Sequence, residues 1–328
     1  MEILLASLLS PITLSFVVGL LAALVGFEIR VGERALRAFA NVLMFFIGVD
    51  GGRGLASSTL GHLGAGLAAT AALILLVPTL SYFIARWLTK FSVVDSASLA
   101  TLYGSVSSAV LMAAYAESGD MNLAVDGFVM GLAALMELGL LVALVIGTLA
   151  LRGAAGSISS NRARVAEVVG GFLLLFCGLL IGSTIGDRGF GRWESVIDLV
   201  LTGALAIYMV EMGMMTAREL ARLRAAAARV VSFALVMPVL GGILGTFLGT
   251  LAGLLPGSVF ILGAVAASAS FINAPAIVRV SFPSANPSIY LTCALGVTFP
   301  VLLLIGLPLI AQMALLWQRL IGPTGEGA

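Results

Sequence analysis

Two stretches of this sequence carry hydroxyls inside otherwise apolar runs: Gly104-Ser105-Val106-Ser107-Ser108, and Ser268-Ala269-Ser270-Phe271-Ile272-Asn273-Ala274 followed at once by Pro275. A serine becomes a nucleophile only beside a base, and the single histidine, His62, and single lysine, Lys90, supply none to either stretch. Binding is the chemistry that remains. Backbone amides at the start of a helix suit a small anion, while unwound carbonyls and hydroxyls suit sodium. Glu137 lies in the middle of another apolar run, where a carboxylate is costly unless it faces protein, water or an ion. Two readings stand for it: ion coordination or protonation coupled to transport, against a hydrogen-bonded carboxyl that holds helices together. Glu211 poses the same question more weakly. One histidine and two cysteines, Cys177 and Cys293, both within apolar runs, favour neither a metal centre nor a disulfide.

The elements that position these residues follow from composition. Of 328 residues, 60% are hydrophobic, 10% charged and 39 are glycine, whereas a soluble surface needs roughly 25 to 35% charged residues. A soluble enzyme is therefore excluded. The net charge of +1 provides no basic face for nucleic acid. Glu2 stands where a signal peptide would be positive, so the first apolar run reads as a span. With about 20 apolar residues needed to cross hydrocarbon, the chain divides into ten spans: 4–26, 34–55, 62–89, 95–117, 125–151, 164–185, 195–217, 226–254, 257–281 and 287–318. Alternating sides then place 13 of the 17 basic residues on one face, which becomes the cytoplasmic one, with both termini outside.

Five spans per half is odd, so homologous halves must be inverted: 1–152 and 163–328, joined by a short cytoplasmic linker, 153–162. Sliding the chain by 163 residues sets Leu102–Ser107 on Val265–Ser270 and superimposes Ser105 on Ser268 and Ser107 on Ser270. Both segments fall in the matching span of each half, the fourth and ninth, and both are expected to break there. Pro275, lacking an N–H, accounts for the second break. The fold class expected is an all-α polytopic membrane protein, ten helices in two inverted five-helix repeats with helices four and nine broken.

Elsewhere the expectations are structural. Asp50 and Arg53 are spaced for a helical ion pair, and Asp95 for an N-cap. Glu117, Asp120 and Asp126 read as a solvated acidic loop. Gly241, Gly245, Gly249 and Gly253 make a flat packing face for a mobile part or a neighbouring subunit. Arg218, Arg222, Arg224 and Arg229 read as orientation signals in contact with lipid headgroups.

The run Arg279-Val280-Ser281-Phe282-Pro283-Ser284-Ala285-Asn286-Pro287-Ser288-Ile289-Tyr290 resembles the sodium-dependent bicarbonate transporter family, the cyanobacterial single-component type, as a divergent bacterial homologue. Gly296, Pro300, Gly306, Pro308, Gly104 to Ser107, Ala113-Ala114 and Met212-Gly213-Met214 extend the likeness. The resemblance implies sodium-coupled uptake of bicarbonate, a trimer, an elevator motion and a substrate site where the broken helices meet. It also implies an acidic residue at Glu137. The chain departs from the family at Phe271, where an aspartate is implied, and at Ala109-Val110-Leu111, where small hydroxyl residues are. It also has about ten residues in place of a long cytoplasmic insertion, which leaves binding of the family's PII-like regulator open.

The expected function is secondary active transport of a small inorganic or organic anion across the bacterial inner membrane, with no cofactor beyond a coupling sodium. Substrate would bind at Gly104, Ser105, Ser107, Ser108, Ser268, Ser270, Phe271, Asn273 and Ala274. Ser107, Ser270, Asn273 and Glu137 would hold the coupling ion. The alternative is a proton-coupled or uncoupled transporter of another small anion such as a carboxylate. A channel ranks lower, because few ionisable residues lie within the spans.

Overall fold

The computed structural model describes residues 9–27, 33–56, 60–151, 173–185, 194–223 and 228–322. The linker 153–162 and the side chain of Asp50 lie outside the described residues. Among the described residues every regular element is helical. In chain order these are α1 (Pro11–Leu24), α2 (Glu33–Ala56), α3 (Leu60–Phe83), α4a (Val93–Tyr103), α4b (Ser108–Asp120), α5a (Val129–Leu135), α5b (Gly139–Leu151), α6 (Leu173–Ile185), α7 (Glu194–Leu223), α8 (Ala228–Leu251), α9a (Pro256–Ala266), α9b (Asn273–Ser281) and α10 (Pro287–Ile321). Among the described residues, five stretches are long and apolar enough to cross a membrane: Leu63–Leu88, Val93–Asp120, Val129–Leu151, Ala228–Leu251 and Pro287–Ile321.

The exterior is largely apolar, and many of the hydroxyls lie inside. Leu21, Leu75, Val145, Val239 and Leu309 are all more than half exposed, while Ser96, Thr101, Thr246, Ser258 and Thr298 are buried. An apolar exterior, around an apolar core that also holds these hydroxyls, suits a lipid surround. The stretch Val93–Asp120 is 89% enclosed by protein, against 39% for Leu63–Leu88, so α4 forms the centre of the bundle and α3 part of its wall.

Glycines decide which helices touch. A Cβ on Gly19 of α1 would lie 1.9 Å from the Val210 carbonyl oxygen, and one on Gly213 of α7 would lie 2.1 Å from that of Phe16. The same close approach joins α2 to α6, through Gly48 and Gly52 on one side and Gly178 and Gly182 on the other. Gly213→Ala is thus expected to force α1 and α7 apart at a cost of about 1–3 kcal/mol. It would be read as a lower midpoint of thermal unfolding in detergent; an unchanged midpoint would contradict the contact.

The glycine face of α8 packs inside the chain. Gly241 meets Ala266, Gly245 meets Gly263 and Gly249 meets Val259, all on α9a. Gly253 is not on this face: it lies past the helix end in a left-handed turn, φ +71°, which favours glycine. Around the centre, α3 packs on α4a and α5b, and α8 packs on α9a and the end of α10. In α10, wide turns at Thr292–Thr298 and Leu302–Gly306 each end two residues before a proline, Pro300 and Pro308, whose missing N–H interrupts the hydrogen-bond ladder.

Candidate functional site

The break in α4 spans Gly104 to Ser107. Glycine and serine are poor interior helix residues, and serine side chains compete for backbone groups. Ser107 turns that competition into a restart, because its hydroxyl accepts from the Val110 N–H at 3.4 Å and caps α4b. Gly104 is required by packing: a Cβ there would lie 2.8 Å from the Pro78 side chain and 2.9 Å from the Gly139 carbonyl oxygen. This lets α4 cross α3 and α5 at backbone distance.

The break in α9 covers Ala267 to Ile272. It lies on the N-terminal side of Pro275, which occupies the first turn of α9b, where an N–H has no intrahelical partner in any case. The break thus falls in the turn before Pro275, where the sequence places it, because the ring disfavours helix on its N-terminal side; Asn273 starts the second half-helix. The Ser268 hydroxyl donates to the Val265 carbonyl at 2.8 Å, closing the end of α9a. Ser270 Oγ accepts from the Ala274 N–H at 3.5 Å, at the start of α9b.

The two breaks meet. The Ser270 N–H donates to the Leu102 carbonyl at 2.9 Å, and the Ser107 N–H donates to Ser268 Oγ at 3.2 Å. In lipid these freed groups must find partners within the protein, and here each break supplies them to the other. Between them lies a cavity of about 10 Å³, room for one water-sized particle, lined by Val106, Ser107, Ser108, Tyr208, Ser270, Phe271, Ile272 and Asn273. The N-terminal ends of α4b, 13 residues long, and α9b, nine residues long, therefore open on one space. Both contribute partial positive charge to it.

The structure divides the sequence candidates. Ser107, Ser108, Ser270, Phe271 and Asn273 line the cavity; Gly104, Ser105, Ser268 and Ala274 stand behind it and hold the breaks in shape. Glu137 is also behind it. A single 3-10 turn, Met136–Leu138, separates α5a from α5b and turns the carboxylate toward the α4 break. One oxygen accepts from Ser105 Oγ at 2.8 Å and the other from the Val106 N–H at 2.5 Å. Phe271 is 6% exposed and packs edge-on to Phe299 at 4.9 Å, which packs on Phe16 at 5.4 Å. The departure at Phe271 is thus absorbed into an aromatic column running from the cavity to α10 and α1.

Other anchors were not legible in the sequence. Thr298 donates to the Ala234 carbonyl at 2.8 Å, so the Tyr103 hydroxyl, 2.5 Å from Thr298 Oγ1, is the donor in that pair. This ties the last residue of α4a to α10 and α8. The N-cap of α4a is Ser92, and the expectation for Asp95 is corrected: it sits three positions on, accepts from the Ser92 hydroxyl at 2.6 Å and from the Asn286 N–H at 2.9 Å. The acidic loop is not simply solvated. Glu117 is fully buried, and Asp126 accepts from the Leu255 N–H at 2.9 Å while its own N–H donates to Ser258 Oγ at 2.7 Å. Two clips result, each fastening the entry to one broken helix onto the loop that follows the other. Asp126→Ala removes one partner of a partly exposed bond, so it is expected to cost about 1 kcal/mol and to leave transport measurable. A thermal midpoint equal to that of the unaltered protein would show that the clip carries no load. Glu211 and Glu219 of α7 are buried, and Gly296 allows the Glu219 side chain within 3.3 Å of where its Cβ would be. Tyr208 was missed; its signal was a phenol in mid-span three residues before Glu211, since a buried tyrosine hydroxyl ordinarily needs a partner.

Broken helices that meet inside an apolar-surfaced bundle, with their half-helix N-termini facing one small cavity, are the architecture of helical membrane transporters. The chain belongs to the Na+-dependent bicarbonate transporter superfamily, whose description matches residues 11–315. The family is one of transporters and not of enzymes. Comparison with curated proteins gives no match.

Proposed function

We propose that the protein is a secondary active transporter that takes up bicarbonate together with sodium by alternating access. The observation that carries this reading is the convergence of the α4b and α9b N-termini on one cavity lined by Ser107, Ser108, Ser270 and Asn273. The anion is held by first-turn amides and hydroxyls. Sodium takes oxygens of Ser107, Ser270, Asn273 and freed carbonyls, with Glu137 shaping the α4 break from behind. A cavity of about 10 Å³ takes a sodium ion but not the three oxygens of bicarbonate, so the anion enters a wider arrangement of the same walls.

The chain spans the membrane ten times in two inverted five-helix repeats, 1–152 and 163–328, joined by the linker 153–162. Matching helix partners in the two halves support this: α1 on α7 with α2 on α6, and α3 on α4a and α5b with α8 on α9a and α10. It lies in a bacterial inner membrane with both termini outside, as the separation of basic residues supports, and assembles as a trimer in keeping with the resemblance. A second reading, proton-coupled transport of another small anion, is favoured by one observation, the replacement of an acidic residue by Phe271 at the cavity wall.

The test is uptake of labelled bicarbonate into proteoliposomes with and without an inward sodium gradient, corrected for carbon dioxide permeation. Sodium-stimulated accumulation is expected. Accumulation driven only by a proton gradient, or of a carboxylate instead, would establish the second reading in its place.

A further inference from the structure

Most of the cavity wall belongs to the two broken helices, but one residue reaches it from elsewhere. Tyr208 is carried by α7, packed on α1, and only 1% of it is exposed. Its hydroxyl approaches Ser108 yet forms no hydrogen bond of sound geometry with any described protein atom. Burying a phenolic hydroxyl without a protein partner is costly, so what satisfies it is whatever occupies the cavity it lines. A group kept in that condition, at the wall of a space that two helix N-termini already make favourable to negative charge, is matched to something that enters the space.

We propose that the Tyr208 hydroxyl is a substrate-binding group, donating a hydrogen bond to an oxygen of the small oxyanion held between the N-termini of α4b and α9b. This rests on the reading of the cavity as the anion site. The α4b and α9b amides border the cavity, and Tyr208 adds a contact from a third element, α7. Its role is therefore affinity and selection: an anion oxygen satisfies the hydroxyl, and a ligand without an acceptor there leaves it buried and unpaired, which a polar site rejects strongly. Because α7 is not one of the broken helices, the contact also makes the fit of α7 against the central helices depend on what the cavity holds.

Tyr208→Phe removes one oxygen and keeps the ring. A structural hydroxyl and a ligand-binding one predict opposite effects on the unliganded protein, since deleting an unpartnered buried hydroxyl removes a cost and deleting a bonded one adds it. The experiment is thermal unfolding of purified protein and of Tyr208→Phe in sodium buffer, titrated separately with bicarbonate, formate, acetate and nitrate. At least one anion is expected to raise the midpoint of the unaltered protein. Tyr208→Phe should need about tenfold more of that anion or beyond for the same rise, with an unliganded midpoint no lower than that of the parent. If bicarbonate is silent and another of these anions shows this pattern, the bicarbonate reading falls and the assignment of Tyr208 stands. Equal titrations for the two proteins overturn the assignment. A lower unliganded midpoint, or failure of Tyr208→Phe to fold, also overturns it, because the hydroxyl is then bonded to Ser108 and structural. Stabilisation by none of the four anions overturns both.

Discussion

Ser107→Leu is expected to abolish sodium-stimulated uptake, a loss of about a hundredfold or more, while the protein still reaches the membrane. Three functions meet at this residue. Its hydroxyl caps α4b, its N–H ties the α4 break to Ser268, and its side chain lines a cavity with room for a single water-sized particle. Leucine removes the cap, at about 1 kcal/mol, and overpacks the wall, at roughly 1–3 kcal/mol. Together these suffice to displace an ion from the site without unfolding a bundle whose helices are fastened elsewhere, by the glycine contacts of α1 with α7 and of α8 with α9a. Asn273→Leu tests the opposite wall: Asn273 begins α9b and caps nothing in α4, so its loss of uptake would come from the cavity alone. The measurement is initial uptake rate at matched protein density in proteoliposomes. Ordinary kinetics in either variant would remove that wall from the site.

Glu137→Ala is expected to be as damaging by a different route. The carboxylate accepts from Ser105 Oγ and the Val106 N–H in the centre of the bundle, where nothing else stands to replace it. Alanine orphans both donors at about 1–3 kcal/mol each, which destabilises the protein and unsettles the α4 break together. Glu137→Gln separates geometry from charge. A carboxamide can accept from the Val106 N–H and donate to Ser105 Oγ, so the break is kept while the residue can no longer gain or lose a proton. With Glu137 as a positioning group, the Gln variant folds, transports within several-fold of the parent and keeps the parent's pH profile. A flattened profile in the Gln variant would instead make Glu137 the proton carrier of the second reading. Wild-type stability and uptake in the Ala variant would exclude both roles.

The clips at Asp95 and Asp126 give these effects their context. The entries of α4a and α9a are each joined by a carboxylate and a main-chain N–H to the loop after the other broken helix, and the breaks themselves are joined where they cross. A few added atoms at Ser107 occupy the cavity itself, whereas Asp126 holds a partly exposed loop away from it, which is why the first substitution matters more.

Hydropathy alone determined that the protein is helical and belongs in a membrane, because a helix is the structure in which an apolar segment satisfies its own backbone. The breaks at Gly104 to Ser107 and around Ser268 to Asn273 were legible for a related reason: glycine, hydroxyl residues and proline act on the chain within one turn of themselves. What lies opposite a residue was not legible. Nothing local names Ser105 and Val106 as the partners of Glu137; the close approach of Gly104 and Gly139 brings them together. Nothing local brings the Ser107 N–H to Ser268, Asp126 to Leu255 or the Tyr208 hydroxyl to the cavity. Even the glycine face of α8, plain in the spacing, did not name α9a as its partner. Spacing along a helix records which residues share a side, whereas the partner is chosen by contacts between segments distant in the chain, which only the packed tertiary structure decides.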